Sequence, residues 1–144
     1  MVRMNPPTIS LQALRKALEA LASAQRYWLE EAEDSGRKPH LRAGVVQSFE
    51  FSYELAIRSL RRVLIERAAV AAQIADLSFN DLLRAGADAG LLDDALGWRR
   101  WRELRNRTSH AYDAAQAQQI AEASAAFLPE AHALLQRLEA ELAP

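Results

Sequence analysis

The chain has 144 residues, half of them hydrophobic, with no cysteine and with 18 Lys and Arg against 19 Asp and Glu. That length suits one domain, 1–144, able to bury a core. The absence of cysteine excludes disulfides and thiolate metal sites and is compatible with a cytoplasmic setting, while a formal net charge of -1 excludes a whole-chain electrostatic pull on nucleic acid.

Only 5 Gly and 5 Pro punctuate a sequence dominated by Ala and Leu, which favours an all-α fold over one built from many turns. The opening MVRMNPPTIS lacks the apolar stretch of a signal peptide. The longest weakly charged run, 68–79, is too short for the ~20 residues that span a bilayer. A soluble protein with no membrane partner is expected.

A first helix begins after Pro6 and Pro7, with Thr8 or Ser10 as its cap. Leu11, Leu14, Leu18, Leu21 and Trp28 recur at helical spacing, and Gly36 and Pro39 supply the stop. A second helix is predicted over about 40–69. Its Val46, Phe49, Tyr53, Ala56, Leu60 and Val63 step by three and four, a seam for near-antiparallel neighbours. Glu54 and Arg58 stand in the favourable i,i+4 order for an ion pair. A linker follows at about 70–77. Ser78 caps a short third helix that Gly86 or Gly90 closes. Asp93 or Asp94 caps a fourth carrying Trp98, Trp101 and Leu104. Asp113 caps a last helix whose stripe is Ile120, Phe127, Ala131, Leu134, Leu138 and Leu142. The expected architecture is an up-and-down antiparallel bundle of about five helices.

The stretch WRELRNRTSHAYD, 101–113, concentrates the chemistry. Arg99, Arg100, Arg102, Arg105 and Arg107 face a single acid, Glu103, in the one locally basic segment of the chain. Guanidinium groups bind phosphate through two parallel hydrogen bonds. A histidine such as His110 can take or give a proton near neutrality. Together they suit RNA strand cleavage, in which a base removes the 2′-hydroxyl proton and a guanidinium stabilises the phosphorane-like transition state. Asn106, one turn before His110, could fix its tautomer or contact the phosphate.

Geometry restricts this reading. At about 100° per residue, Asn106 and His110 share a face, whereas Arg105 and His110 point roughly 140° apart. Either the helix ends between them, where Thr108 and Ser109 favour turns, or two copies meet at a two-fold axis and share a cleft. The blander alternative is a solvated arginine face, a histidine at a helix end, and Trp98 and Trp101 in the core. His40 and His132 are isolated and expected at the surface, and neither HExxH nor a glycine-rich phosphate loop is present, so no metal and no cofactor is expected. Glu50 and Glu54 could be an acid/base pair, or could form ion pairs with nearby arginines.

RNRTSHAY, 105–112, resembles the R-x-x-x-x-H-x-Y motif of HEPN-domain proteins. The similarity extends to AGVVQSFEFSYELAIRSL (43–60), AGADAGLLDDALGWRRW (85–101) and FLPEAHALLQRL (127–138), in order along the chain. The subgroup resembled is that of the nucleotidyltransferase substrate-binding proteins, helical partners of separately encoded minimal nucleotidyltransferases. The resemblance implies a homodimer that brings the motif Arg and His together, and a metal-independent endoribonuclease acting as the toxin of a toxin–antitoxin pair. It makes Arg105 and His110 the catalytic candidates, with Asn106 in support. It also makes Tyr112 the residue that the partner silences by adding AMP. Apart from the resemblance, Glu50, Glu54 and Arg102 stand as supporting candidates. The resemblance equally allows a non-catalytic substrate-binding subunit in a hetero-oligomer. One departure stands in the second helix, where an aromatic residue and a lysine usual in the family are replaced by Ile57 and Arg58.

Overall fold

The leucine stripe of the first helix is its buried face: Leu14, Leu18, Leu21 and Trp28 all lie in the core. A computed structural model describes residues 9–144. Within them α1 is Gln12–Glu30, α2 Lys38–Arg67, α3 Ala71–Ala75, α4 Phe79–Asp88, α5 Ala95–Arg107 and α6 Ala114–Leu142. A 3-10 turn, Thr108–His110, sits between α5 and α6. The all-α expectation is met, with six helices rather than about five. None of them is long and apolar enough to cross a membrane.

Three pairs of cross-helix contacts set the directions of the long helices. Arg15 pairs with Glu139 at 2.9 Å and the Gln25 amide donates to the Ser124 hydroxyl at 2.9 Å, so α1 and α6 are antiparallel. Arg42 meets Gln118 and Arg67 meets Glu141, so α2 and α6 run in the same direction. Trp101 donates its indole N–H to Glu130, and Arg107 reaches Gln116, so α5 runs against α6. The chain therefore goes up and down through α1, α2, α5 and α6, with α3 and α4 inserted in the connection between α2 and α5. The parallel pair α2 and α6 forms the centre, and α1 and α5 flank it.

Several boundaries differ from the sequence expectation, each for a local reason. Pro39 does not stop α1; it lies in the first turn of α2, where a missing N–H costs no intrahelical bond. The connection between α1 and α2 is closed instead by Lys38, a buried ammonium that donates to the carbonyls of Trp28 and Glu31 and pairs with Glu33 at 3.3 Å. Those carbonyls at the end of α1 would otherwise lack partners. The expected linker at 70–77 holds α3, which has no fully buried side chain of its own. Arg61 of α2 secures it by donating to the carbonyls of Ile74, Ala75 and Leu77 at 3.1–3.3 Å.

The cap predictions divide. The Ser78 hydroxyl accepts from the Asp81 amide, and one Asp113 oxygen accepts from the Ala115 and Gln116 amides, at 2.8 and 3.2 Å. Ser10 accepts from the Gln12 amide, while Thr8, Pro6 and Pro7 lie outside the described residues. Asp94 occupies the cap position of α5 without a side-chain bond, and Asp93 pairs with Arg137. Gly90, at φ 76°, closes α4 in the left-handed conformation that glycine tolerates. Gly86 lies inside α4 instead, where a Cβ would meet Leu92 at 3.1 Å and Leu60 at 3.3 Å.

Gly86 is thus a point of close approach between α4 and α2. Gly86→Val should overpack it and lower the unfolding free energy by about 1–3 kcal/mol. Gly36→Ala, whose Cβ meets nothing within 4 Å, should stay within about 0.5 kcal/mol of wild type. Urea melts of the two variants, compared at constant slope, test this.

Candidate functional site

Trp98, Trp101 and Leu104 bury one face of α5, leaving its arginines at the rim. Arg105 turns back onto α2. Its Nη2 lies 2.6 Å from Glu54 Oε1 and 3.2 Å from Glu50 Oε1, and its Nε also donates to Glu54 at 3.2 Å. Glu50 and Glu54 are therefore ion-pair partners of an arginine, but of Arg105 rather than Arg58. Among the described residues no ion pair joins Glu54 to Arg58. The two carboxylates raise the pKa of Arg105 further: the hydrogen bond to Glu54 contributes most, opposed by desolvation. With its side chain 31% exposed, Arg105 keeps one edge toward solvent.

The helix ends between Arg105 and His110, one of the two solutions the angular argument allowed. After Arg107 the backbone tightens into the 3-10 turn, and the Thr108 and Ser109 hydroxyls donate to the carbonyls of Arg105 and Asn106 at 2.7 and 3.1 Å. Thr108 and Ser109 thus compete for the last carbonyls of α5, which is how such residues end a helix. His110 and Tyr112 emerge exposed from this turn, Tyr112 by 87%, with ring centroids 6.2 Å apart in an edge-on arrangement. α-Helical winding stops at Arg107, between Asn106 and His110. Asn106 is exposed, and no hydrogen bond among the described residues joins its side chain to His110.

Arg102 is exposed and stacks over the Phe79 ring at 4.6 Å, tying α5 to the start of α4. Trp98 and Trp101 are core residues, and His40 and His132 are at the surface. No group of three or more His, Asp and Glu side chains that could hold a metal ion occurs among the described residues.

Residues 9–140 match the family model described as nucleotidyltransferase substrate binding protein like. The chain belongs to this family. A Haemophilus influenzae relative named "Probable ribonuclease HepT" is 38% identical over 96 residues, covering 67% of this chain and 66% of that protein. A solved Haemophilus influenzae structure, described as revealing the fold of a substrate binding domain of a nucleotidyltransferase, superposes with a TM-score of 0.82. It shares 30% identity over 90% of this chain and 99% of the other. The HEPN-type resemblance read from the motif segments is thereby borne out.

In this member of the nucleotidyltransferase substrate-binding family, Tyr53 was missed as a neighbour of the motif, because the seam of α2 made it look like a plain core aromatic. It is 6% exposed, and burial pushes its phenol up to about 12, with Arg102 and Arg105 opposing and Glu54 adding to the rise. Its position between Glu50 and Glu54 is the signal that could have found it.

Tyr53 is neutral when folded, and its folded pKa exceeds the value of about 10 for an exposed phenol. Its contribution to stability is therefore complete below pH 10 and lost as the pH rises toward 12. A tyrosinate absorbance titration should show one of the three tyrosines ionising near 12, and Tyr53→Phe should remove that step.

Proposed function

We propose that this protein is a metal-independent endoribonuclease, the toxin of a pair whose antitoxin is a separately encoded minimal nucleotidyltransferase. One observation carries the reading most directly: Tyr112 stands almost fully exposed beside His110, on the turn that follows Arg105. A modifying enzyme can reach such a hydroxyl without unfolding anything. AMP transferred to it, with loss of pyrophosphate from ATP, would add charge and bulk two residues from the proposed base. The name of the Haemophilus relative supports the nuclease assignment.

In the cleavage step His110 takes the 2′-hydroxyl proton, the 2′-oxygen attacks phosphorus, and the bond to the 5′-oxygen breaks. The departing 5′-oxygen takes up a proton, leaving a 2′,3′-cyclic phosphate and a 5′-hydroxyl. Arg105 stabilises the charge on the phosphorane-like transition state. In one chain that guanidinium is engaged by Glu50 and Glu54, which suits a site completed only when a second copy presents its own motif. Phe51, 62% exposed and one turn from Glu54 on the outer side of α2, offers an apolar contact for such a homodimer. The cytoplasm, where RNA and the partner meet, is the setting this implies.

The same engagement of Arg105 favours a second reading, a non-catalytic substrate-binding subunit, and the description of the solved neighbour supports it. Cleavage assays separate the two. Unmodified wild-type protein in chelator should cut RNA, and His110→Ala should lower the rate by at least about 100-fold. Treatment with the partner and ATP should add AMP to the intact mass of wild type but not of Tyr112→Phe. Absence of cleavage by protein of unmodified mass excludes the nuclease. Tighter nucleotide binding by the partner in the complex then supports the second reading.

A further inference from the structure

Two arginines near the motif turn are held by neutral amides rather than by carboxylates. Arg107 donates through Nε and Nη2 to Gln116 Oε1, at 3.2 and 2.8 Å, and through Nη2 also to Gln119. Arg42, from the first turns of α2, has a single long contact, Nη1 to Gln118 Oε1 at 3.4 Å. Its Nε is buried without a hydrogen-bond partner. All three glutamines belong to the first two turns of α6. A carboxylate partner would cancel each guanidinium's charge, whereas an amide oxygen only orients it. Seven other arginines of the described chain, Arg105 among them, have carboxylate partners.

Each of these two arginines also opens onto a cleft. Arg42 lines a crevice of about 160 Å³ with Val46, Gln47, Glu50, Ala111 and Ala117, directly behind the turn that carries His110. Glu50, the one carboxylate in that crevice, is bound by Arg105. Arg107 lines a groove of about 330 Å³ between α5 and α6. Glu103 shares that groove, and among the described residues it makes no ion pair with Arg107. The exposed rings of His110 and Tyr112 stand at the turn, with Arg42 and Arg107 both close to it.

We propose that Arg42 and Arg107, oriented by Gln116, Gln118 and Gln119, grip phosphates of a single-stranded RNA laid across the Thr108–Asp113 turn. The Arg42 guanidinium, held by one long amide contact, keeps Nη donors that a phosphate oxygen can satisfy. A phosphodiester matches the two-pronged geometry of guanidinium. Unpaired bases can stack on the exposed aromatic rings, which a duplex could not offer. The proposal rests on RNA being the substrate class, and it adds a backbone-binding subsite separate from the groups that move protons.

The test uses full-length protein and a 2′-O-methyl oligoribonucleotide, which binds but cannot be cut by 2′-hydroxyl attack. Arg42→Gln and Arg107→Gln should each weaken binding about tenfold at low salt. Each should also lower the slope of log affinity against log salt by about 0.7, the contribution of one phosphate contact on a single strand. Arg62→Gln, about 30 Å along α2 from Arg42, is the charge-matched control and should change neither quantity. Arg42→Lys should retain the salt slope while losing affinity, which separates phosphate contact from misfolding. Binding by Arg42→Gln and Arg107→Gln equal to that of the control overturns the subsite, whether or not RNA is cleaved. If wild type binds and the variants weaken as expected but unmodified RNA is never cut, the subsite stands and the nuclease falls. If wild type does not bind RNA at all, both fall.

Discussion

Three aromatic rings converge on Phe127, and the arrangement of the bundle depends on that junction. Phe49 from α2 meets it edge-on with centroids 5.1 Å apart, and Trp98 and Trp101 from α5 approach at 5.8 and 5.6 Å, also edge-on. Such edge contacts stabilise beyond the area they bury. Phe127 and Phe49 are fully buried. One side chain of α6 thus fixes α5 against the two central helices. The indole N–H of Trp101 adds direction, because Glu130, one turn beyond Phe127, accepts it. With α5 locked at this end, Arg105 must arrive over Glu50 and Glu54, and the 3-10 turn must project outward.

Electrostatics then divides the arginines around the motif by role. Arg100 and Arg105 are joined to carboxylates and act partly as clasps between helices. Arg102 lies on an aromatic ring, and Arg107 rests on amides. A segment that reads as one basic run in the sequence is therefore three different environments in space. Only some of these leave a full positive charge available to an incoming anion. Exposed ion pairs of this kind add little to stability, so the clasps matter more for where the guanidinium groups point than for how firmly the fold holds.

The helices were readable because their buried stripes are periodic, and periodicity is a local property. Leu14, Leu18 and Leu21 on α1, and Phe127, Leu134 and Leu138 on α6, lie in the core as spacing required. What spacing missed depends on partners far along the chain. α3 is secured by Arg61, which local pattern does not reveal. Glu54 had an ideal partner four residues away, yet its carboxylate found Arg105, 51 residues on, because packing of α5 brought a fork-shaped donor to it. Pro39 was read as a stop because its lost N–H would break a helix interior, and the first turn of α2 tolerates that loss. At the site, the angle between Arg105 and His110 left two solutions open. The turn-favouring Thr108 and Ser109 decided that the helix ends, while the carboxylate grip on Arg105 could not be derived from the motif itself.

The order in which the chain is made gives the α6 contacts a further meaning. Domains generally form as units, from the N-terminal side, as synthesis proceeds. α1 and α2 can pair as soon as both exist, and their Ser52 hydroxyl already bridges to the Ala17 carbonyl at 3.1 Å. The motif turn gains much of its support later. The cap of Asp113, the glutamines around Arg107 and the aromatic junction at Phe127 all come from the segment that follows it. A nascent chain ending before about residue 115 would carry Arg105, His110 and Tyr112 without the α6 groups that hold the turn. Assembly of the turn is thereby coupled to completion of α6, so an interrupted polypeptide is born without a formed site.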